Sequence, residues 1–102
     1  MAKAVVEVSV IPIGTGKASL SKYIAGALKI LEKSRVKYEL TAMGTIIEGN
    51  LDDVMPIVLK MHKSVLRDVK RVVTMIKIDE RKDKKLSIKG KVETVKRKLK
   101  ET

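Results

Sequence analysis

The sequence predicts a single α+β domain, and three observations carry that reading. Four segments with strand character and two with helical periodicity follow one another as β-α-β-β-α-β. Over 102 residues the chain is 44% hydrophobic, with two tyrosines as its only aromatics, which is enough for one modest aliphatic core. Composition changes near residue 81. Residues 81–102 hold ten Lys or Arg against Asp83, Glu93 and Glu101, a net +7 of the chain's +11, which leaves +4 for residues 1–80. We therefore read residues 1–102 as one domain with a basic C-terminal extension over 81–102.

Ala4 to Ile11 alternates as a first strand, with Val6, Val8 and Val10 on one side and Glu7, Ser9 and Ile11 on the other. Pro12 is expected to end it. From Ser19, a suitable N-cap, Leu20, Ile24, Ala27, Leu28 and Leu31 recur at helical spacing, giving a first helix to about Arg35. Val36 to Thr41 alternates as a second strand. Ala42-Met43-Gly44 then leads into a third, Thr45 to Glu48, making a tight hairpin in which Gly44 is free to adopt positive φ.

Gly49 breaks the chain, and Asn50 caps a second helix whose dipole favours Asp52 and Asp53 in its first turn. Val54, Ile57, Val58, Met61 and Val65 form its apolar stripe, and Pro56 is expected to bend its start. Arg71 to Glu80 is the fourth strand. In the extension, Ile88, Val92, Val95 and Leu99 recur at helical spacing, which predicts a third helix, with Gly90 blurring its start.

This order is the ferredoxin-like split β-α-β arrangement, an antiparallel sheet of strand order 4-1-3-2 with both helices on one face. Two helices leave the other face open. It would carry Glu7, Ser9, Ile11, Lys37, Glu39, Thr41, Arg71, Val73, Met75 and Lys77, a mixed surface suited to pairing with a second sheet, so a homo-oligomer is expected. Taking strands one and three as parallel neighbours, Ser9 and Ile11 would lie beside Ile47 and Glu48, with Arg71 and Tyr38 at the same edge of one recess.

Several function classes are excluded or disfavoured. Without cysteine there are no disulfides, thiolate catalysis or cysteine metal sites. The N-terminal residues contain no apolar run long enough for a signal core or a membrane span, so a cytoplasmic protein is expected. The absence of Gln and the wealth of Lys, Val and Ile resemble heat-adapted composition. The stretch VSVIPIGTGKAS (8–19) looks like a phosphate loop. Counting back from Gly16-Lys17, however, Ile11 stands where a Walker A loop needs its first glycine, and Ala18 where it needs Ser or Thr. His62, the only histidine, has no second His at i+4 to complete a metal site. No nucleophile triad assembles.

The segments PIGTG (12–16), YELTAMGTIIEG (38–49) and RVVTMIKIDERKD (71–83) resemble, in order and spacing, the small thiamine-binding protein family of ferredoxin-like fold. The one visible departure is Ala42, where relatives often have proline. The resemblance implies a non-enzymatic protein, and no cofactor is expected. It implies assembly through its sheets as a dimer or tetramer, and binding of thiamine or its hydroxymethylpyrimidine part. An aminopyrimidine needs paired donors and acceptors, and a thiazolium cation favours a carboxylate. On that reading Glu48 is the polar anchor, Ser9 and Thr41 supply hydroxyls, and Ile11 and Met43 an apolar, sulfur-bearing wall. Glu48 could equally form an ion pair with Arg71 or Lys37. Thr45 either contacts the ligand or serves the hairpin, and Arg71 either meets a phosphate or ends a loop.

The competing class is a nucleic-acid-binding or partner-dependent regulatory module using the basic segment. RNA-recognition domains share this topology but stack bases on aromatics of their central strands, which are absent here.

Overall fold

The computed structural model describes residues 3–102. Its elements are β1 (Ala4–Ile13), α1 (Ser21–Lys33), β2 (Lys37–Leu40), β3 (Thr45–Gly49), α2 (Leu51–Leu66), β4 (Arg71–Glu80) and α3 (Ile88–Glu101). The four strands form one sheet in the order β2-β3-β1-β4, the predicted α+β split β-α-β arrangement.

Alternation in β1 sets the layers. Ala4, Val6, Val8 and Val10 are buried under the helices, together with Ile47 of β3. Ala27 and Leu31 of α1 and Val54, Val58, Met61 and Val65 of α2 complete the core, as their helical spacing predicts. Burying a full aliphatic side chain contributes roughly 1.5–3 kcal/mol, so this compact set of β-branched and Leu residues drives the sheet and the helices together.

Local chemistry accounts for the element ends. Asn50 caps α2 as read, its side chain accepting from Asp52 N at 3.1 Å. Pro56 falls inside α2 without ending it. The start of α1 differs from expectation: Leu20 is its N-cap, with no side-chain cap, and Ser19 shares a hydroxyl contact with Ser21 instead. That helix closes two residues early because the Ser34 hydroxyl donates to Leu31 O at 2.7 Å. Ser87 caps α3, accepting from Gly90 N at 2.9 Å. Gly90 therefore belongs to the cap, where it costs little helix propensity.

Two corrections concern β1. It runs through Pro12 to Ile13, because β4 pairs with it along all ten residues while β3 pairs only with Ala4 to Val8. Beyond Val8 one edge of β1 has no strand beside it among the described residues, which is where a strand tolerates a missing N–H. Strands β1 and β3 are also antiparallel, not parallel. In a split β-α-β unit the intervening strand must run against the two that it separates.

The open face carries Glu7 opposite Lys77, an ion pair at 3.5 Å, and Ser9 opposite Met75. The first turn of α3 packs at one end of this face, burying Leu86 and Ile88. The rest of α3 leaves Val92, Val95 and Leu99 49%, 60% and 69% exposed, so its predicted apolar stripe has no cover within the described chain. Among the described residues no helix is long and apolar enough to cross a membrane.

A cleft at the β2–β3 hairpin

Because β1 and β3 are antiparallel, the predicted recess divides. Thr45 pairs with Val8, whereas Glu48 pairs with Val5. At about 3.4 Å per residue, that puts Glu48 about 10 Å along the strand from the Ser9 end. Arg71 pairs with Ile13 at the tip of β1, and Tyr38 lies on β2 at the opposite side of the sheet from β4. The expectation that Ser9, Ile11, Glu48, Arg71 and Tyr38 share one recess does not hold.

Five predicted residues do converge. Ser9, Ile11, Thr41, Met43 and Thr45 line a cleft of ≈ 330 Å³ between the hairpin turn and the first half of α1, with Val8 and Val10 behind and Met61 and Met75 at its sides. The hairpin is held by its own hydroxyls. Thr41 Oγ1 donates to Gly44 O at 2.7 Å, the Thr41 amide reaches the same carbonyl at 2.9 Å, and Ser9 Oγ donates to Met43 O at 3.1 Å. A hydroxyl that donates once keeps lone pairs to accept with, so both side chains can still receive hydrogen bonds from a ligand. Gly44 does not take the positive φ expected of it; its smallness matters instead, because a β-carbon there would sit 3.0 Å from Ser9 Oγ and 3.2 Å from Val8 O. Thr45 is buried, while Met43 and Met75 are 86% and 63% exposed at the mouth.

Glu48 is occupied elsewhere. It is 7% exposed, accepts the Ile88 amide at 2.8 Å and lies 3.7 Å from Lys3 Nζ. It is an ion-pair residue, as one alternative held, but its partners are Lys3 and the start of α3, not Arg71 or Lys37. A carboxylate at a helix N-terminus satisfies an otherwise unpaired amide and faces the positive end of the dipole.

Other singled-out residues fall outside the cleft. His62 Nδ1 and Thr74 Oγ1 share a hydrogen bond at 2.6 Å that ties α2 to β4. Among the described residues no three His, Cys, Asp or Glu side chains form a metal-binding group. In the GTG turn, Gly14 and Gly16 take φ of 78° and 75° and Thr15 bonds the main chain of Lys17. The Arg81 guanidinium forks onto Asp83, and that hydrogen bond lowers the Asp83 carboxyl below its ordinary range and raises Arg81.

The cleft contributors that sequence reading missed include Val10, Met61, Met75, Leu20 and Ile24. Alternation and helical spacing do mark most of them, but only as core or sheet-face positions. Their exposure to a cavity depends on the hairpin being shorter than β1.

Fold and site together define a small split β-α-β domain with an uncharged cleft beside its hairpin. The chain belongs to the thiamine-binding protein family, whose model matches residues 6–96. A UPF0045 protein of Methanocaldococcus jannaschii is 47% identical over 95 residues, covering 93% of this chain and 94% of that protein. Its crystal structure superposes with a TM-score of 0.87 over 93% of this chain and 97% of the other. The UPF0045 protein YqgV of Bacillus subtilis is 41% identical over 101 residues, 94% of this chain and 97% of its own. A Thermotoga maritima structure described as a candidate thiamine biosynthesis/salvage protein is 25% identical with a TM-score of 0.79, covering 91% of this chain and 98% of that one.

Proposed function

We propose that this chain is a non-enzymatic binding protein for thiamine or its hydroxymethylpyrimidine part, taken up in the hairpin cleft. The observation that carries the reading is the convergence of Ser9, Ile11, Thr41, Met43 and Thr45 on one cavity of ≈ 330 Å³ in a member of the thiamine-binding protein family. A mostly apolar cleft with a few convergent hydroxyls is the usual form of a small-ligand site, and its volume lies within the ordinary range of about 300–1,000 Å³. Methionine sulfur makes favourable contacts with aromatic ring edges. Glu48 and Arg71 have no part in this proposal, since neither reaches the cleft.

The protein works as a homo-oligomer joined through its open sheet faces. Ile13, Val73 and Met75 are 39%, 38% and 63% exposed on that face, and Val92, Val95 and Leu99 of α3 are uncovered as well. Exposed apolar side chains on an uncovered sheet face suit association with a second copy of that face.

Differential scanning fluorimetry with thiamine and with hydroxymethylpyrimidine tests the binding reading. A ligand at a hundred times its Kd stabilises the folded state by about 2.7 kcal/mol and raises the melting point. No shift with either compound at millimolar concentration overturns it.

A further inference from the structure

The geometry points to the main chain of Val10 as the group that reads the ligand's ring: its N–H and C=O pair with the aminopyrimidine edge as a neighbouring strand would. This rests on the proposed function and names the element that recognises the ligand.

The direction of the Val10 amide follows from its neighbours. The Val8 carbonyl oxygen lies 3.2 Å from where a β-carbon on Gly44 would stand, so Val8 presents its main-chain polar groups toward the hairpin. Successive residues of a strand direct their N–H and C=O to opposite edges, and residues two apart share an edge. Val10 therefore faces the same way as Val8. Pairing with β3 stops at Val8, so among the described residues no strand lies opposite Val10 on that edge. Pro12 falls next on that edge and has no N–H to leave unpaired.

Val10 is 5% exposed and lines the cleft. A buried main-chain amide without a strand partner is costly, and in native proteins such groups are nearly always satisfied. A 4-aminopyrimidine offers the complement on one edge: the ring nitrogen accepts from an N–H, and the exocyclic amine donates to a carbonyl two bonds away. One residue's N–H and C=O present that donor and acceptor side by side.

Charge sharpens the ligand class. None of the side chains lining the cleft is ionisable. A phosphate ester gains no cationic partner inside it, and the ring enters uncharged while a thiazolium must extend past Met43 into solvent.

Isothermal titration calorimetry of the full chain with four compounds tests this: hydroxymethylpyrimidine, its analogue lacking the 4-amino group, thiamine and thiamine monophosphate. Removal of the amino group should weaken binding at least tenfold, and the monophosphate should bind no tighter than thiamine. In ¹⁵N-labelled protein the Val10 amide proton should move downfield as hydroxymethylpyrimidine is added. An unmoved Val10 amide alongside shifting Ser9 and Thr41 resonances overturns the inference and leaves the binding reading standing. Equal affinity for the amino and des-amino compounds, or tighter binding of the monophosphate, does the same. Failure of all four compounds to bind overturns both.

Discussion

The Glu48 carboxylate accepts the amide of Ile88, forty positions further along the chain, at 2.8 Å. This contact seats the start of α3 on the open face of the sheet. Glu48→Ala strands a buried donor and an unpaired Lys3, so the fold should lose about 1–3 kcal/mol. For a domain of this size each kcal/mol lowers Tm by about 4–8 °C. Hydrogen exchange at Ile88 should accelerate with the drop in Tm, while thiamine affinity stays within error. A loss of affinity without a loss of Tm would return Glu48 to the ligand.

Gly44 lies so close to β1 that a β-carbon there would press on Ser9 Oγ and the Val8 carbonyl. Gly44→Ala should destabilise by about 1–3 kcal/mol, as overpacking does, and weaken thiamine binding by displacing Thr41 and Met43. Urea denaturation and calorimetry on the same preparation check both effects.

Met75 sits opposite Ser9 on the open face and is 63% exposed. Met75→Asp places a charge in the proposed interface between sheets, where an unpaired buried charge is strongly unfavourable. Light scattering should show the assembly shifting to smaller species, with the monomer's circular dichroism unchanged. A wild-type chain already monomeric at micromolar concentration would defeat the oligomer reading.

Asp83, hydrogen-bonded to Arg81, has its carboxyl held below the ordinary range. A lowered folded-state value favours the charged form, so its contribution is present above the unfolded carboxylate value and is lost as pH falls through the folded one. Both groups are solvent-exposed, and pairs of this kind add little to stability. An NMR titration should therefore find Asp83 titrating at unusually low pH, while Asp83→Asn leaves Tm at pH 7 within a degree or so.

The fold was legible because its signals are local. Val6, Val8 and Val10 alternate, Val54, Val58, Met61 and Val65 recur at helical spacing, and Asn50 caps its helix as its chemistry predicts. The site was only half legible. Ser9 and Thr45 come together through antiparallel pairing, and no periodicity distinguishes that from the parallel pairing that would have joined Ser9 to Glu48. Direction follows from topology, and a wrong direction moves a residue from one end of the sheet to the other while leaving its face correct. Glu48 was expected to anchor a ligand or to pair with Arg71 or Lys37; its partners are instead Lys3 and a main-chain amide forty residues away, which no side-chain pattern encodes.

The overhang of β1 past its shorter neighbour also bears on how the protein avoids aggregation. An unpaired strand edge is a template on which a second chain can add, and natural sheets shorten or block such edges. Here Pro12 withholds a donor from one end of the gap, and the turn fastened through Ser9 closes the other. What is left between them is too short to seat another strand, yet long enough for the edge of one flat ring.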